Sequence, residues 1–387
     1  MKNIGVRSVG IKAPLIKRGD DIVEIVVSSV LKATCNMEYS PLAAAVNTSY
    51  DINDGDIIGI TESAVARSQG NYVTIDEIAE EITNKFGENP TIDLIEPIYS
   101  RNRFAMILKG IARGAKKVRI LMPPVDEVGN VSKNHPFTKM NYEDYYYNIC
   151  TSEGCECEIY DHPNYLEHKN NLNLLFCQLH VDKDDAYKRI SLYINNEVKN
   201  SYSISELFNT RCEYGLLGSN KSTEEKLKLF PTKKDTFIHG LKVKGSDTIV
   251  KEVKQRIYNE TGKNVIVVVY ADGCFKDPVG GIWEFADPVS MVSFTDEDII
   301  LSTPNELKLK AFIDDYDGED LTGYIKDAIL SKEKDLKGNM DSQGTTPRLI
   351  RDLVASLMDL TSGSGDKGTP IVLVQNYFKN YSNDWYY

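Results

Sequence analysis

Residues 265–288 read VIVVVYADGCFKDPVGGIWEFADP, and this stretch decides how the rest of the chain is read. Val265 to Tyr270 is an almost continuous β-branched run bounded by turn residues, which predicts a buried strand. That strand delivers Asp272 into a Gly-containing turn, with Asp277, Glu284 and Asp287 close behind. Hard divalent cations want several oxygen ligands, and Mg²⁺ typically takes one or two carboxylates beside phosphate oxygens and water. A carboxylate at a strand end suits that role. DG and DP pairs also initiate turns, and the pattern divides evenly between the two readings.

Working outward, Asp247 to Thr261 carries Ile249, Val250, Val253 and Ile257 at helical spacing. Pro304 to Phe312, Leu321 to Ser331 and Pro347 to Leu360 predict further helices, and Ile371 to Val374 a last buried strand. Upstream, Asp20 to Leu31 predicts a helix after a GDD that supplies an N-cap carboxylate. Asp56 to Thr61 follows a DG turn and predicts a buried strand, ending at the polar segment ESAVARSQGNYV. Thr74 to Phe86 predicts a helix with Thr74 and Glu77 in a capping-box pattern. Phe104 to Ala115 predicts another helix, and Val118 to Met122 a strand stopped by Pro123 and Pro124. From there to about Tyr165 the chain is polar, Tyr-rich and irregular in period, and reads as an inserted subdomain of lid type. Interleaved strands and helices give α/β or α+β, and periodicity alone does not choose.

At 387 residues the chain can hold two domains or one domain with a large insertion. Its 41% hydrophobic and 26% charged residues are those of an ordinary globular protein. A formal charge of −12 repels a phosphodiester backbone, so nucleic acid is not an expected partner. An anionic nucleotide requires local cations, backbone amides or a divalent metal. No segment approaches the roughly 20 apolar residues that span a bilayer, and the first residues lack an apolar signal core, so a cytoplasmic protein is expected. Seven cysteines scattered from Cys35 to Cys274 suit a reducing compartment. Cys150, Cys155 and Cys157, followed by His162 and His168, raise a zinc site; surface thiols in a loop-rich segment are the simpler expectation.

Three more stretches could bind an anion. LTSGSGDKGTP, residues 360–370, lies between a predicted helix and a predicted strand, and its small residues let amides approach phosphates. It is no Walker A loop, and the preceding helix C-terminus disfavours phosphate, so Lys367, free amides or a metal would have to compensate. A flexible connection is the simpler reading. EYGLLGSNKSTEEKLKLFP, residues 213–231, offers Gly215, Gly218, Ser219 and Asn220 before a helical turn expected near Ser222, although a solvated N-cap is the commoner use of such residues. SRNRFAMILKGIARGAKKVRI begins at Ser100 and sets Arg101 and Arg103 just before a helix, near its positive end; Lys116 and Lys117 read as a solvated face. His180 and His239 sit in apolar surroundings and neighbour no nucleophile motif, and the Tyr142 to Tyr147 cluster reads as packing.

Taken together and in order, several of these segments resemble the coenzyme F-420:glutamate ligases. SVGIKAPLIKRGDDIVEIV at 8–26 resembles the family's opening glycine, proline and GDD pattern. DINDGDIIGITESAVARSQGNYV at 51–73 is similar to its GD strand and following VSKAEG-like element, with Arg67 where a nucleotide-binding lysine is usual. VIVVVYADGCF resembles the strand ending in a DTFGR-type motif, with Gly273 where threonine is usual. LVASLMDLTSGSGDKGTPIVLV at 353–374 is similar to the helix, nucleotide-binding loop and closing strand. The resemblance covers roughly the first 85 residues and the stretch from Glu213 onward.

That resemblance implies an α+β fold with a mixed sheet: a ligase-like segment at 1–95, an inserted or lid subdomain at 96–212, and a metal- and nucleotide-binding segment at 213–387. It implies a homodimer that uses a nucleoside triphosphate, commonly GTP, and Mg²⁺ or Mn²⁺. A carboxylate would be activated by the terminal phosphate, and the amine of glutamate would then form an amide. In that scheme Asp272 holds the metal with Glu224 as a second ligand, and Asp272 and Arg67 are catalytic. Ser63, Arg67, Asn220, Ser362, Gly363, Ser364, Gly365 and Lys367 contact nucleotide, and Arg101 or Arg103 holds the acid substrate. Two other functions fit the same sequence: a phosphotransferase acting on another carboxylated metabolite, and a non-catalytic nucleotide sensor.

Overall fold

The structure, a computed structural model, describes residues 5–34, 51–125, 133–134, 140–177, 183–271, 274–276, 283–285, 289–314, 316–336, 339, 349–362 and 365–382. Two five-stranded sheets organise them. The first is mixed and runs in the order Arg7–Ile11, Ile371–Gln375, Ile57–Thr61, Ile266–Tyr270, Met291–Phe294. Its inner strands Ile57–Thr61 and Ile266–Tyr270 are parallel, paired from Ile57↔Ile266 to Thr61↔Tyr270. The remaining pairs are antiparallel.

Alternation along a strand sends successive side chains to opposite faces, and here both faces are covered. Ile57, Ile266, Val268 and Tyr270 pack with Val354 and Met358 of the helix Ile350–Ser362. Ile58, Ile60, Val267 and Val269 pack on the other side with Val26 and Val30 of the helix Ile22–Thr34 and Val250 and Val253 of the helix Ser246–Thr261. This is why the strand sequences are continuous apolar runs. Gly59 has a specific cause: a Cβ there would collide with Met358 Sδ, so the C-terminal helix can lie close only over glycine.

The second sheet is wholly parallel, in the order Glu156–Tyr160, Lys117–Leu121, Thr91–Ile95, Leu172–Phe176, Val198–Ser203. The chain adds strands first on one side of Thr91–Ile95 and then on the other, which is a doubly wound order. At its centre Asp93 and Arg119 are both buried and joined by two hydrogen bonds of 2.7 Å, from Arg119 Nε to Oδ1 and from Nη2 to Oδ2. Burial pushes the Asp93 carboxyl up, against the pull of Arg119. The sheets share one core through the helices Ile75–Phe86 and Phe104–Gly114, which touch closely because Gly110 faces Ile78 and Gly114 faces the Ala79 backbone.

Most expected elements stand within a residue or two, including the Thr74–Glu77 capping box and the cap that Asp21 Oδ1 makes to the amides of Val23 and Glu24. Three differ. The 123–165 stretch is regular where described, with a helix Tyr142–Ser152 and a strand Glu156–Tyr160; its inward positions are Tyr142, Tyr146 and Cys150, so the helical period is carried by aromatic and sulfur side chains. The helical turn expected near Ser222 is a hairpin of Asn220–Thr223 and Lys226–Lys228, extended by Tyr72–Thr74. Pairing with that third strand satisfies backbone groups that a one-turn helix would leave open. The helix expected over 304–312 is confined to Leu309–Asp314.

Two of the three thiols of the CxC region are not surface groups, and the third, that of Cys157, is half-buried. Cys150 and Cys155 are buried, and contact with Cys157 together with burial pushes the Cys150 thiol up, while burial pushes that of Cys155 up to about 12. Among the described residues no three His, Cys, Asp or Glu side chains are grouped to hold a metal. His180 lies outside the described residues, and His239 is exposed, with Nε2 3.3 Å from the Tyr72 carbonyl. Among the described residues no helix is long and apolar enough to cross a membrane.

Breaking a buried ion pair on one side strands a charge, whereas replacing both partners need not. Asp93→Ala is therefore expected to destabilise the fold by about 3 to 5 kcal/mol, and Asp93→Leu combined with Arg119→Met to recover most of that loss, as read by urea unfolding.

Candidate functional site

The mixed sheet gathers distant segments at one edge. Thr61 and Tyr270 end the parallel strands side by side, Ile371 begins the antiparallel strand next to them, and Ile11 ends the outer strand opposite Ile371. Two hydrogen bonds close this edge, from Thr61 N to the Pro370 carbonyl at 2.9 Å and from Ala13 N to the Gly368 carbonyl at 3.0 Å. A cleft of about 660 Å³ opens here, lined by 13–16, 61–64, Arg67, Lys228, Asp359, Leu360, Ser362 and 368–370.

One wall is the helix Glu62–Gln69, formed by the polar segment that follows the strand Ile57–Thr61. Thr61 is extended and accepts from Ala64 N through its side chain, and Gly70 closes the helix in the left-handed region at φ 66°. Ala64, Val65, Ala66 and Ser68 face inward, leaving Ser63 and Arg67, one turn apart, toward the cleft. Gln69 fixes the far end, donating to the carbonyls of Thr232 and Lys244 and accepting from Thr232 N, and Asn71 Nδ2 donates to the Phe230 carbonyl at 2.6 Å. These bonds hold the segment that follows the strand Lys226–Lys228 against the end of the helix.

The closest charges are buried. Lys228 is 8% exposed, Glu62 3%, and the Lys228 ammonium donates to Glu62 Oε1. Directly across the hairpin from Lys228 stands Asn220, on the same face of that small sheet. The Lys221 amide donates to the Asn102 carbonyl at 2.9 Å, which brings the Arg101–Arg103 segment against the same hairpin. That segment is itself braced, because the Tyr146 hydroxyl donates to the Ile98 carbonyl and accepts from Ser100 N, both at 2.9 Å. Burial holds the Tyr146 phenol protonated, and the Tyr142–Tyr146 rings are packing, with Tyr142 stacked on Tyr99.

Of the residues singled out in the sequence, Ser63, Arg67 and Ser362 meet in the cleft. Asn220 adjoins it through Lys228. Gly365 and Lys367 form a 3₁₀ turn just before Gly368, with Lys367 exposed. Arg101 is half-buried and Arg103 buried, at the start of the helix Phe104–Gly114. Glu224 is exposed at the hairpin turn and ion-paired with Lys221. Asp272, Gly363 and Ser364 lie outside the described residues, as do Gly273, Asp277 and Asp287; the neighbouring Ala271 is buried at the strand end beside Thr61. Among the described residues no three carboxylates group to hold a cation, and Glu62 is engaged by Lys228 and Glu224 by Lys221. Sequence reasoning missed Glu62 and Lys228. Lys228 carried a signal, an isolated lysine between Leu227 and the apolar Leu229–Phe230 pair, but only the pairing of its strand shows what it faces.

A family model described as F420-0:Gamma-glutamyl ligase matches residues 10–376, spanning the parallel sheet as well as the segments that line the cleft. No individual curated protein matches.

The cap that starts the cleft helix is directly testable. Thr61→Ala is expected to cost about 1 kcal/mol of unfolding free energy, and Thr61→Ser to retain most of the parent's stability, both by denaturant titration.

Proposed function

The chain belongs to the F420-0:Gamma-glutamyl ligase family, and from that membership we propose that its cleft uses a nucleoside triphosphate, GTP first among candidates, to join a carboxylate to L-glutamate through an amide bond. Membership implies ligase-type chemistry. The observation that supports the finer reading is the convergence of Thr61–Ser63, Arg67, Ser362 and Gly368–Pro370 on one cleft, because these come from two of the segments that carry the resemblance.

In the proposed reaction a carboxylate oxygen attacks the terminal phosphorus, the bond to the bridging oxygen breaks, and nucleoside diphosphate leaves. The amine nitrogen then attacks the acyl carbon, the bond to the phosphate oxygen breaks, phosphate departs, and the nitrogen gives up a proton. Such steps need charge neutralisation and alignment more than a covalent side chain. Arg67 and Lys228 provide positive charge inside an acidic protein, and Ser63 and Ser362 provide hydroxyls. The 361–368 stretch and Asn220 would hold the nucleotide, and Arg101 or Arg103 the acid, by a bidentate fork. Asp272, with Glu224, is proposed as the basis of a Mg²⁺ or Mn²⁺ requirement, and a homodimer as the functional assembly; both rest on the resemblance.

Thermal unfolding with GTP, ATP and Mn²⁺ tests the binding claim. Ligand at about 100 times its dissociation constant is expected to stabilise the fold by about 2.7 kcal/mol, and no shift with any triphosphate would overturn the reading. Asp272→Asn is expected to remove the metal-dependent part of the shift. Phosphate release separates the chemistries: a ligase releases it only with both acid and amine present, a phosphotransferase yields diphosphate without the amine, and a sensor releases none.

A further inference from the structure

We propose that Lys228 is a phosphate-contacting group of the cleft and that Glu62 is the positioning residue that holds its ammonium there. This deepens the reading of the cleft as a triphosphate site and rests on it.

Three observations carry the assignment. First, Lys226 and Lys228 belong to one three-residue strand but meet different surroundings: Lys226 is exposed and lies over the Tyr72 ring at 5.6 Å, whereas the Lys228 side chain is 10% exposed and lines the cleft. A long cationic side chain normally carries its charge out to water; this one keeps it at the cleft wall. Second, an ammonium has three N–H donors, and among the described residues Glu62 Oε1 is the one partner of Lys228 Nζ. The remaining donor capacity has the open volume of the cleft before it, where water or an anion can accept. Third, Glu62 occupies the first turn of the helix Glu62–Gln69, where free amides and the helix dipole already favour a negative charge. Its carboxylate is thus supported from behind as well as by Lys228, and an arriving phosphate oxygen can share the ammonium without stranding Glu62.

Packing alone gives no reason to retain this pair, since a buried ion pair is often no more stabilising than apolar residues of similar volume. Its setting gives one. Arg67 opens on the same cleft from the same helix as Glu62, and Asn220 stands opposite Lys228, so an anion bound there would meet two cations and an amide, with the Asp359 carboxylate on the cleft lining as well. An ammonium is a compact point charge that suits phosphate without demanding a planar partner.

The test uses the full chain, with tripolyphosphate and GTP plus Mn²⁺ as probes and affinities read by titration calorimetry. Because Lys228→Met alone leaves Glu62 buried without its cation and can fail to fold, the decisive variant is Lys228→Met combined with Glu62→Gln, with its melting temperature checked without ligand. Loss of one hydrogen bond to a charged group corresponds to a fall of roughly 10- to 100-fold in affinity, and that fall is expected for both probes in the double variant. Glu62→Gln alone keeps the cation and is expected to bind tripolyphosphate at least as tightly as the parent. A folded double variant that binds both probes like the parent would overturn the role of Lys228. A loss in Glu62→Gln as large as in the double variant would overturn the division of roles. A parent that binds neither probe would instead remove the triphosphate reading itself, so the two failures are distinguishable.

Discussion

The rest of the structure depends on the parallel pairing of Ile57–Thr61 with Ile266–Tyr270, two strands separated by some two hundred residues of chain and buried on both faces. Their parallel sense makes both carboxyl ends finish at the same edge, so that the Thr61–Glu62 helix start and the residue before Asp272 emerge side by side. The antiparallel strand Ile371–Gln375 begins at that edge too, and it carries the Gly368–Pro370 turn to the same place. Strand ends release backbone and side chains from the ladder, and a cleft there can be lined by groups the sheet no longer needs. Reversing the sense of this one pair would put the Glu62 helix and the Ala271 end at opposite ends of the sheet.

Electrostatics follows from the same geometry. The protein as a whole is acidic, yet Arg67 and Lys228 both reach the cleft, while the exposed Glu224 is ion-paired with Lys221 at the hairpin turn. Glu62 tempers the local positive charge and fixes where it is displayed. The cleft thus sets two cations, Arg67 and Lys228, beside two carboxylates, Glu62 and Asp359, so an anionic ligand would depend on where the cations are placed and not on a net positive lining.

The parallel sheet contributes at a distance. The Tyr146 hydroxyl braces the Ile98–Arg103 loop, and the Asn102 carbonyl engages the hairpin that bears Asn220 and Lys228. The helix contact through Gly110 and Gly114 makes the two sheets share a core, so the middle of the chain is mechanically continuous with the cleft. A substitution in this region can reach the site through position without touching a ligand.

Sequence alone determined the strands Ile57–Thr61, Lys117–Leu121, Ile266–Tyr270 and Ile371–Gln375, though not the buried Thr91–Ile95 and Leu172–Phe176, together with most helices and their caps, because these follow from local periodicity and from short-range hydrogen bonds such as Thr74 with Glu77. Motif resemblance likewise identified the family, and three of the residues it singled out, Ser63, Arg67 and Ser362, line one cleft in the structure. It did not reveal the regular order of the 123–165 stretch, where tyrosines and cysteines replace aliphatic residues at the inward positions, nor the hairpin at Asn220, where pairing with Tyr72–Thr74 decides the conformation. Tertiary structure alone decided that Lys228 meets Glu62, since the two are 166 residues apart and neither has a local signature for the other. Long-range charge pairing depends on which strand edges join, and no window of neighbouring residues encodes that.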